Sequence, residues 1–239
     1  MPQGVKVQVL SPPPDLYMFK RRSLVEKMTV DGHFIFKSGK HATTKLDYER
    51  LKRRDQRRAA KQIGALIAEE FPNLDAVVGV ANGANRLAED SAKHVSKLLG
   101  RNVLAFTTIK DERTGDFTVK KGNIYVGHKK LVVVDDIFTE GTTTEIVSGL
   151  LHKFGAKIVG IATLANRNNR GKNSIPYPHG EQLACNAESY YVPSDEIHVA
   201  SVYNASMDDY EASDCPWQPE CPSGREFFGT QEEWLDNVV

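Results

Sequence analysis

Blocks of apolar and polar residues alternate along the middle of the chain, and they predict strands and helices in turn. Short apolar runs, rich in β-branched residues, predict buried strands at 75–80, 102–106, 131–134 and 157–164. Stretches with apolar residues at helical spacing predict helices at 48–71, 87–99 and 142–154. This alternation predicts an α/β fold, a mostly parallel twisted sheet flanked by helices.

Outside this block the pattern is less regular. Three prolines at 12–14 precede a predicted helix, and residues 33–36 predict a short strand. Beyond residue 166 only the run at 189–192 predicts a strand. The chain is therefore expected to consist of an N-terminal segment, a core and a Cys-containing C-terminal tail, over residues 1–47, 48–171 and 172–239.

Composition narrows the class of protein. The 239 residues contain 31 Lys plus Arg and 31 Asp plus Glu, so no net field attracts nucleic acid or an anionic membrane. The basic run at 50–58 lacks aromatic residues to stack on bases, which disfavours nucleic acid as a partner. No apolar run is long enough to span a bilayer, and residues 1–14 do not resemble an export signal. Three scattered cysteines argue against a disulfide scaffold, so a cytoplasmic enzyme is expected.

The candidate chemistry lies at residues 131–144. An apolar strand is closed by Asp135 and Asp136, whose carboxylates can accept hydrogen bonds from vicinal hydroxyls. A loop at 139–143 then opens a helix, where free N–H groups and the helix dipole favour an anion. Gly141 lets the backbone approach a ligand without a Cβ in the way. The order of these parts predicts a site for a sugar that bears a phosphate.

Other interpretations of this segment are weaker. An ordinary strand-to-helix turn also uses Asp and Thr, but it does not need the apolar strand, the acidic pair and the hydroxyl-rich turn together. A Walker-type phosphate loop is excluded because no Gly-Lys-Ser/Thr follows at the required spacing. The glycines also do not repeat as the G-x-G-x-x-G of a dinucleotide site.

In a parallel sheet, the loops at the carboxyl ends of the strands converge on the ligand. We therefore expect the loops that begin at Ala81, Thr107, Asp135 and Asn166 to meet. Each has a plainer alternative: a turn that starts a helix for the first, a solvated surface hairpin for the second, and a surface turn with incidental arginines for the last. The polar stretch at 107–130 is too long for a simple connector, so it predicts a mobile functional loop or a surface hairpin.

Residues 131–144 strongly resemble the phosphoribosyl-diphosphate binding motif of the type I phosphoribosyltransferases. The resemblance implies that Asp135 and Asp136 bind the ribose hydroxyls, and that the 5′-phosphate is bound by Thr139, Glu140, Gly141, Thr142 and Thr143. It also implies that the pyrophosphate is bound by the loop that contains Asn82, Gly83 and Ala84.

Three further segments resemble the orotate phosphoribosyltransferases within that family. Lys110 and Arg113 match two basic residues of a mobile loop that closes over the substrate, which implies a catalytic role. Arg167 matches an arginine that binds the carboxylate of the base. The run at 33–47 is similar to the signature of a small hood, and it matches at Lys37, Ser38, Gly39, His41 and Asp47. Lys37 would then lie near the base, and the hood would be built from the N- and C-terminal segments.

The resemblance implies transfer of a 5-phosphoribosyl group from phosphoribosyl diphosphate to a ring nitrogen, with orotate as the expected base. Mg²⁺ is the expected cofactor, held mainly by the pyrophosphate and the ribose hydroxyls. A homodimer is implied by the family. Two alternatives stay open: the same chemistry on a purine or another carboxylated base, and a non-catalytic regulator that senses phosphoribosyl diphosphate.

The tail contains Cys215 and Cys221, and it resembles a Cys-Pro-x-Cys tail found in some members of the family. Five residues separate these two cysteines, a poor fit to a zinc knuckle. Cys185, His179 or His198 could complete a metal site only if the fold happened to bring them close, so a role in packing is the preferred interpretation.

Overall fold

In the computed structural model of the chain, the residues described are 6–9, 23–36, 39–81, 83–120, 126–167, 173–178, 196–216 and 228–229. The helices are α1 (Leu24–Met28), α2 (Arg53–Glu70), α3 (Ala84–Leu99) and α4 (Thr142–Lys153), with short 3-10 helices at Tyr48–Arg50 and Ala212–Asp214. The strands are β1 (Lys6–Val9), β2 (Thr29–Ile35), β3 (His41–Leu46), β4 (Ala76–Gly79), β5 (Leu104–Lys110), β6 (Phe117–Val119), β7 (Lys130–Phe138), β8 (Lys157–Asn166), β9 (Ser174–Pro176), β10 (Glu196–Ser206) and β11 (Phe228–Gly229).

Most of these strands form one large sheet. Its order is β1-β10-β8-β7-β4-β5-β6, and β9 pairs with β10 outside this path. The five central strands, from β10 to β5, are parallel, while β1, β6 and β9 pair in the antiparallel direction. The predicted α/β class, with a mostly parallel sheet flanked by helices, is confirmed.

The connections locate a crevice in this sheet. From β4 the chain passes through α3 to β5 on one side, and it later reaches β7 on the other side of β4. The loops after β4 and β7 therefore diverge, and this reversal in strand order is where open α/β sheets bind ligands. Fold topology alone thus points to the carboxyl ends of β4 and β7.

The core consists of two apolar layers, one on each face of the sheet. Strand β7 shows the alternation: Leu131 and Val133 belong to the cluster that includes α4, whereas Val132 and Val134 belong to the cluster that includes α2 and α3. All four side chains are 0% exposed. Burial of each contributes about 1.5–3 kcal/mol, so the strand that carries the candidate acidic pair is anchored on both faces.

A second, three-stranded sheet, β11-β2-β3, forms a small lobe. Helix α1 precedes it and is capped by Ser23, whose hydroxyl accepts a hydrogen bond from the amide of Glu26 at 3.1 Å. The hairpin of β2 and β3 has a register shift between Asp31 and Phe34. No helix within the described ranges is both long enough and apolar enough to span a membrane.

Several predicted boundaries differ from the structure. The predicted helix over 48–71 is a 3-10 turn followed by α2, and the motif strand runs to Phe138, so the two aspartates lie inside the strand. The polar stretch is a surface hairpin where β5 and β6 pair. The strand predicted at 189–192 lies outside the described residues. Of the helix predicted after residues 12–14, only the part that forms α1 is described.

Among the described residues, strand β10 is the longest element that sequence patterning missed. Its apolar positions include two alanines, and serine and asparagine interrupt them, so its hydrophobic signal is weak. The strand belongs to the large sheet, although it falls within the segment 172–239 that the sequence assigned to the tail. The core sheet therefore extends beyond residue 171.

Candidate active site

The acidic pair projects past the end of the neighbouring strand. Strand β4 ends at Gly79, which lies opposite Val134, while β7 continues to Phe138 along β8. Asp135 and Asp136 are therefore flanked by β8 on one side and face the open end of β4 on the other. Both are half-buried.

Asp135 is tied to the first turn of α4. Its Oδ2 accepts a hydrogen bond from the hydroxyl of Thr144 at 3.1 Å, and its Oδ1 accepts one from the amide of Asp136 at 2.9 Å. Burial, and then the neighbouring charge of Asp136, raise the pKa of the Asp135 carboxyl well above its usual value. The side chain is thus fixed in position but poorly compensated in charge.

Asp136 faces the loop after β4. Its Oδ1 accepts a hydrogen bond from the amide of Ile137 at 2.9 Å, and its Oδ2 lies 3.0 Å from the point where a Cβ on Gly83 would be. Burial raises the pKa of this carboxyl as well. Among the described residues, neither Asp135 nor Asp136 belongs to an ion pair. The crevice therefore contains two carboxylates that lack a cation.

The predicted phosphate loop lies at the N-terminus of α4. Gly141 is the N-cap residue, with φ 87° and ψ 0°, a left-handed conformation that disfavours residues with a Cβ. A Cβ there would also lie 2.9 Å from Cζ of Phe138 and from Cγ2 of Ile175. The side chains of Thr139, Glu140, Thr142 and Thr143 are exposed around this turn. The structure thus presents a hydroxyl-rich helix N-terminus, the arrangement that favours phosphate.

The loop after β4 is held by two residues that sequence reasoning did not single out. The buried Thr108 accepts a hydrogen bond from the amide of Ala81 at 2.9 Å and donates one to the carbonyl of Gly79 at 2.8 Å. Asn85 pairs with the backbone of Thr108 through both its amide nitrogen and its carbonyl oxygen, at 2.7 and 3.1 Å. A polar residue on the inner face of β5 was the only signal in the sequence.

The residues predicted for the pyrophosphate loop are only partly described. Gly83 and Ala84 stand at the start of α3, and the Cβ position of Gly83 lies next to the carboxylate of Asp136. Asn82 lies outside the described residues.

Lys110 and Arg113 lie on the hairpin that leaves the carboxyl end of β5. The Nζ atom of Lys110 is 5.6 Å from the ring centroid of Phe117, and Arg113 is exposed at the turn. The turn is held by Asp111, whose Oδ1 accepts hydrogen bonds from the amides of Arg113 and Thr114 at 2.8 and 3.2 Å. The hairpin starts from the same edge of the sheet as the acidic pair.

Arg167 connects the large sheet to the small lobe. Its amide donates to the carbonyl of Phe138 at 2.7 Å, while Cζ of its guanidinium lies 4.0 Å from the ring centroid of Phe36. Burial lowers the pKa of this guanidinium, and the charge of Asp209 opposes the shift. Lys37, predicted near the base, and Ser38, which matches the hood signature, lie outside the described residues, as do Arg170 and Gly171.

Tyr48 is a further residue near the site that the sequence did not reveal. Its side chain is buried, and burial together with the charges of Asp136 and Asp90 raises the pKa of its phenol. Tyr48 directly follows Asp47 of the hood signature. The charge of Asp136 therefore acts on the residue at which the core was predicted to begin.

The unbalanced charge gives a testable pH dependence. Because folding raises the pKa of Asp135, the ionised carboxylate costs stability, and this cost grows as the pH rises from about 4, the unfolded pKa, through the folded pKa. Asp135→Asn removes the cost, so the free energy of unfolding of this variant, relative to the unmodified chain, should be higher at pH 7 than at pH 4. Urea denaturation at both pH values measures this difference, with exposed Asp116→Asn as the control. A pH-independent difference would contradict the assignment.

A family model, two curated relatives and a solved structure are similar to this chain. The phosphoribosyl transferase domain family model matches residues 49–180. An orotate phosphoribosyltransferase of Caldicellulosiruptor saccharolyticus is 30% identical over 164 residues, which cover 67% of this chain and 80% of the relative. One from Carboxydothermus hydrogenoformans is 27% identical over 184 residues, 74% of this chain and 87% of the relative. A solved orotate phosphoribosyltransferase from Aeropyrum pernix aligns with a TM-score of 0.46 at 20% identity, covering 60% of this chain and 80% of that chain.

Proposed function

We propose that this chain, which belongs to the phosphoribosyl transferase domain family, transfers the 5-phosphoribosyl group of phosphoribosyl diphosphate to a ring nitrogen of orotate. The products would be orotidine 5′-phosphate and pyrophosphate. Membership of the family makes the chain a phosphoribosyltransferase, a pentosyl-transferring enzyme. One observation carries the choice of sugar phosphate as ligand: an acidic pair without a cation lies between a helix N-terminus and the loop at Gly83.

The site divides the work of binding the sugar phosphate. The carboxylates of Asp135 and Asp136 accept hydrogen bonds from the two ribose hydroxyls, and the turn around Gly141 binds the 5′-phosphate through the amides at the start of α4. The backbone beside Gly83 approaches the pyrophosphate, because no Cβ occupies the space next to Asp136. Binding through fixed groups places C1 of the ribose toward the base.

The reaction breaks the bond between C1 and the pyrophosphate oxygen, and the ring nitrogen of the base forms the new bond to C1. Positive charge develops on the ribose as this bond breaks, while negative charge collects on the departing pyrophosphate. The carboxylates of Asp135 and Asp136 stabilise the positive charge, since their position is fixed before the reaction begins. No nucleophilic side chain is needed.

A divalent cation suits this site. Burial raises the pKa values of both carboxyls, which supports a nearby positive charge, and Mg²⁺ prefers oxygen ligands. Asp135 and Asp136 would hold it through the ribose hydroxyls, and when bound it would neutralise charge on the pyrophosphate. Mg²⁺ dependence, a homodimer and a cytoplasmic location remain predictions.

Arg167 supports the choice of an acidic base. A guanidinium binds a carboxylate through two parallel hydrogen bonds, and stacking on Phe36 holds the plane of this fork. Orotate carries such a carboxylate, whereas the purine bases do not. The names of the two curated relatives agree with this choice.

Pyrophosphate release provides the test. The full chain would be incubated with phosphoribosyl diphosphate and Mg²⁺, first with orotate, then with purine bases and with other carboxylated heterocycles. Release with orotate alone is the expected result. Release with a purine alone would contradict the choice of orotate as the substrate. Silence with every base, together with binding of phosphoribosyl diphosphate measured by calorimetry, would indicate a sensor.

The hairpin residues give a separate prediction. Lys110→Ala and Arg113→Ala should each lower kcat by about 10- to 100-fold, because each removes one charged donor to the departing pyrophosphate. Steady-state kinetics measures the effect. Lys120→Ala, an exposed lysine at the end of the same hairpin, is the matched control. If Lys110→Ala and Arg113→Ala both kept the kcat of the Lys120→Ala control, Lys110 and Arg113 would have no role in catalysis.

A further inference from the structure

Three side chains with metal-binding atoms meet at the β2–β3 hairpin of the small lobe. His33, His41 and Cys215 are 1%, 2% and 4% exposed. The Nε2 atom of His33 lies 3.1 Å from Nδ1 of His41 and 3.3 Å from Sγ of Cys215. Their donor atoms all lie within 4.8 Å of one another.

The fold brings these residues together from distant parts of the chain. His41 pairs with Ile35 across the β2–β3 hairpin, and His33 lies two residues before Ile35, next to the register shift. Strand side chains alternate between faces, so the two histidines are diagonal neighbours on one face. Cys215 is 182 residues from His33 and follows the last long strand of the large sheet.

The segment that carries Cys215 is fixed to the hairpin at two other points. His41 and Tyr210 exchange both backbone hydrogen bonds, at 2.8 and 2.7 Å. Lys40 forms ion pairs with Asp209 at 3.4 Å and with Glu211 at 3.9 Å. The short approach of Cys215 to His33 is therefore part of a docked segment.

One ring nitrogen of this cluster has two close neighbours. The Nε2 atom of an imidazole carries either one proton or one lone pair, so it serves one neighbour well. In this structure it faces a ring nitrogen and a sulfur at once.

A metal ion satisfies all three donors together. In a tetrahedral zinc site, Zn–N distances of about 2.0–2.1 Å and a Zn–S distance of about 2.3 Å separate two nitrogens by roughly 3.3 Å and a nitrogen from a sulfur by roughly 3.5 Å. The two distances at His33, 3.1 and 3.3 Å, lie within a few tenths of an ångström of these values. Small outward shifts would admit the ion.

We propose that His33, His41 and Cys215 bind Zn²⁺ as three protein ligands of a structural site. The imidazoles bind as neutral donors, and the thiol releases its proton to the solvent and binds as the thiolate. A set of two imidazoles and one thiolate suits Zn²⁺, and it does not suit Mg²⁺, which prefers oxygen. The ion would join the segment after β10 to the β2–β3 hairpin, and this role does not depend on the proposed reaction.

Metal analysis of the purified full chain tests the proposal. Protein produced in zinc-containing medium and purified without chelators should contain about one zinc per chain. Cys215→Ala and His41→Asn should lose at least about nine-tenths of this zinc, since each lacks a ligand. His198→Asn, an exposed histidine on β10, is the matched control and should keep it.

Cobalt substitution supplies a readout that does not depend on zinc content. Co²⁺ added to the metal-free chain should produce a thiolate-to-cobalt charge-transfer band that is absent from Cys215→Ser. A chelator should also lower the melting temperature of the unmodified chain and leave that of Cys215→Ala unchanged. Zinc-free protein that gives no cobalt band, or a band that persists in Cys215→Ser, would overturn the proposal. Circular dichroism identifies any variant that fails to fold. For such a variant, the presence or absence of the cobalt band in the unmodified chain decides whether the site binds a metal ion.

Discussion

Asp136→Asn is expected to lower kcat/KM for phosphoribosyl diphosphate by about two to three orders of magnitude. The carboxylate lies beside Gly83 in the crevice. Under the proposed function, it would accept a hydrogen bond from a ribose hydroxyl and stabilise the positive charge that develops at C1. An amide has the same shape but no charge, and its NH₂ group presents a donor where an acceptor is needed.

The same substitution should leave the protein folded and at least as stable at neutral pH. Burial raises the pKa of Asp136, so its ionised form costs stability, and asparagine removes that cost. Initial-rate kinetics and thermal denaturation of one preparation measure both effects. Glu89→Gln, an exposed acid on α3, is the control for loss of one negative charge. A variant with normal kinetics would remove Asp136 from the site, and an unfolded variant would assign it a structural role.

Arg167→Ala is expected to raise KM for orotate by about 10- to 100-fold, with a much smaller effect on KM for phosphoribosyl diphosphate. Hydrogen bonds to a charged group contribute about 1.5–3 kcal/mol, which corresponds to this range. Arg167→Lys keeps the charge but loses the planar fork and its stacking on Phe36, so an intermediate KM is expected.

Two-substrate kinetics separates these effects. KM for each substrate is measured at a saturating concentration of the other, and Arg57→Ala, an exposed arginine on α2, controls for the loss of a positive charge. Equal increases for both substrates would contradict a role in binding the base. An unchanged KM for orotate with Arg167→Lys would show that charge alone is sufficient.

Local chemistry explains why the centre of the site could be predicted from the sequence. The strand ending in Asp135 and Asp136, the turn at Gly141 and the start of α4 are adjacent in the chain, so one segment shows their order. The loop at Gly83 could be placed beside them because parallel strands end at a common edge. The structure brings Gly83 to Asp136, as expected.

Long-range contacts explain what could not be predicted. The hydrogen bond from Thr108 to the carbonyl of Gly79 depends on the register of β5 against β4, which hydrophobic periodicity does not reveal. The sequence drew attention to His41 and Cys215 separately, but it contains no local signal that they meet. Metal spacing rules examine ligands that are close in the chain, and these ligands come from opposite ends.

The position of Arg167 bears on the order in which two substrates could enter. The groups expected to bind the sugar phosphate all belong to the large sheet and its helices, whereas the guanidinium rests on Phe36 of the small lobe. The groups expected to bind phosphoribosyl diphosphate therefore lie within the large sheet and its helices. The group expected to bind the base lies between that sheet and the small lobe. Under the proposed function, we therefore expect phosphoribosyl diphosphate to bind first and the base to follow.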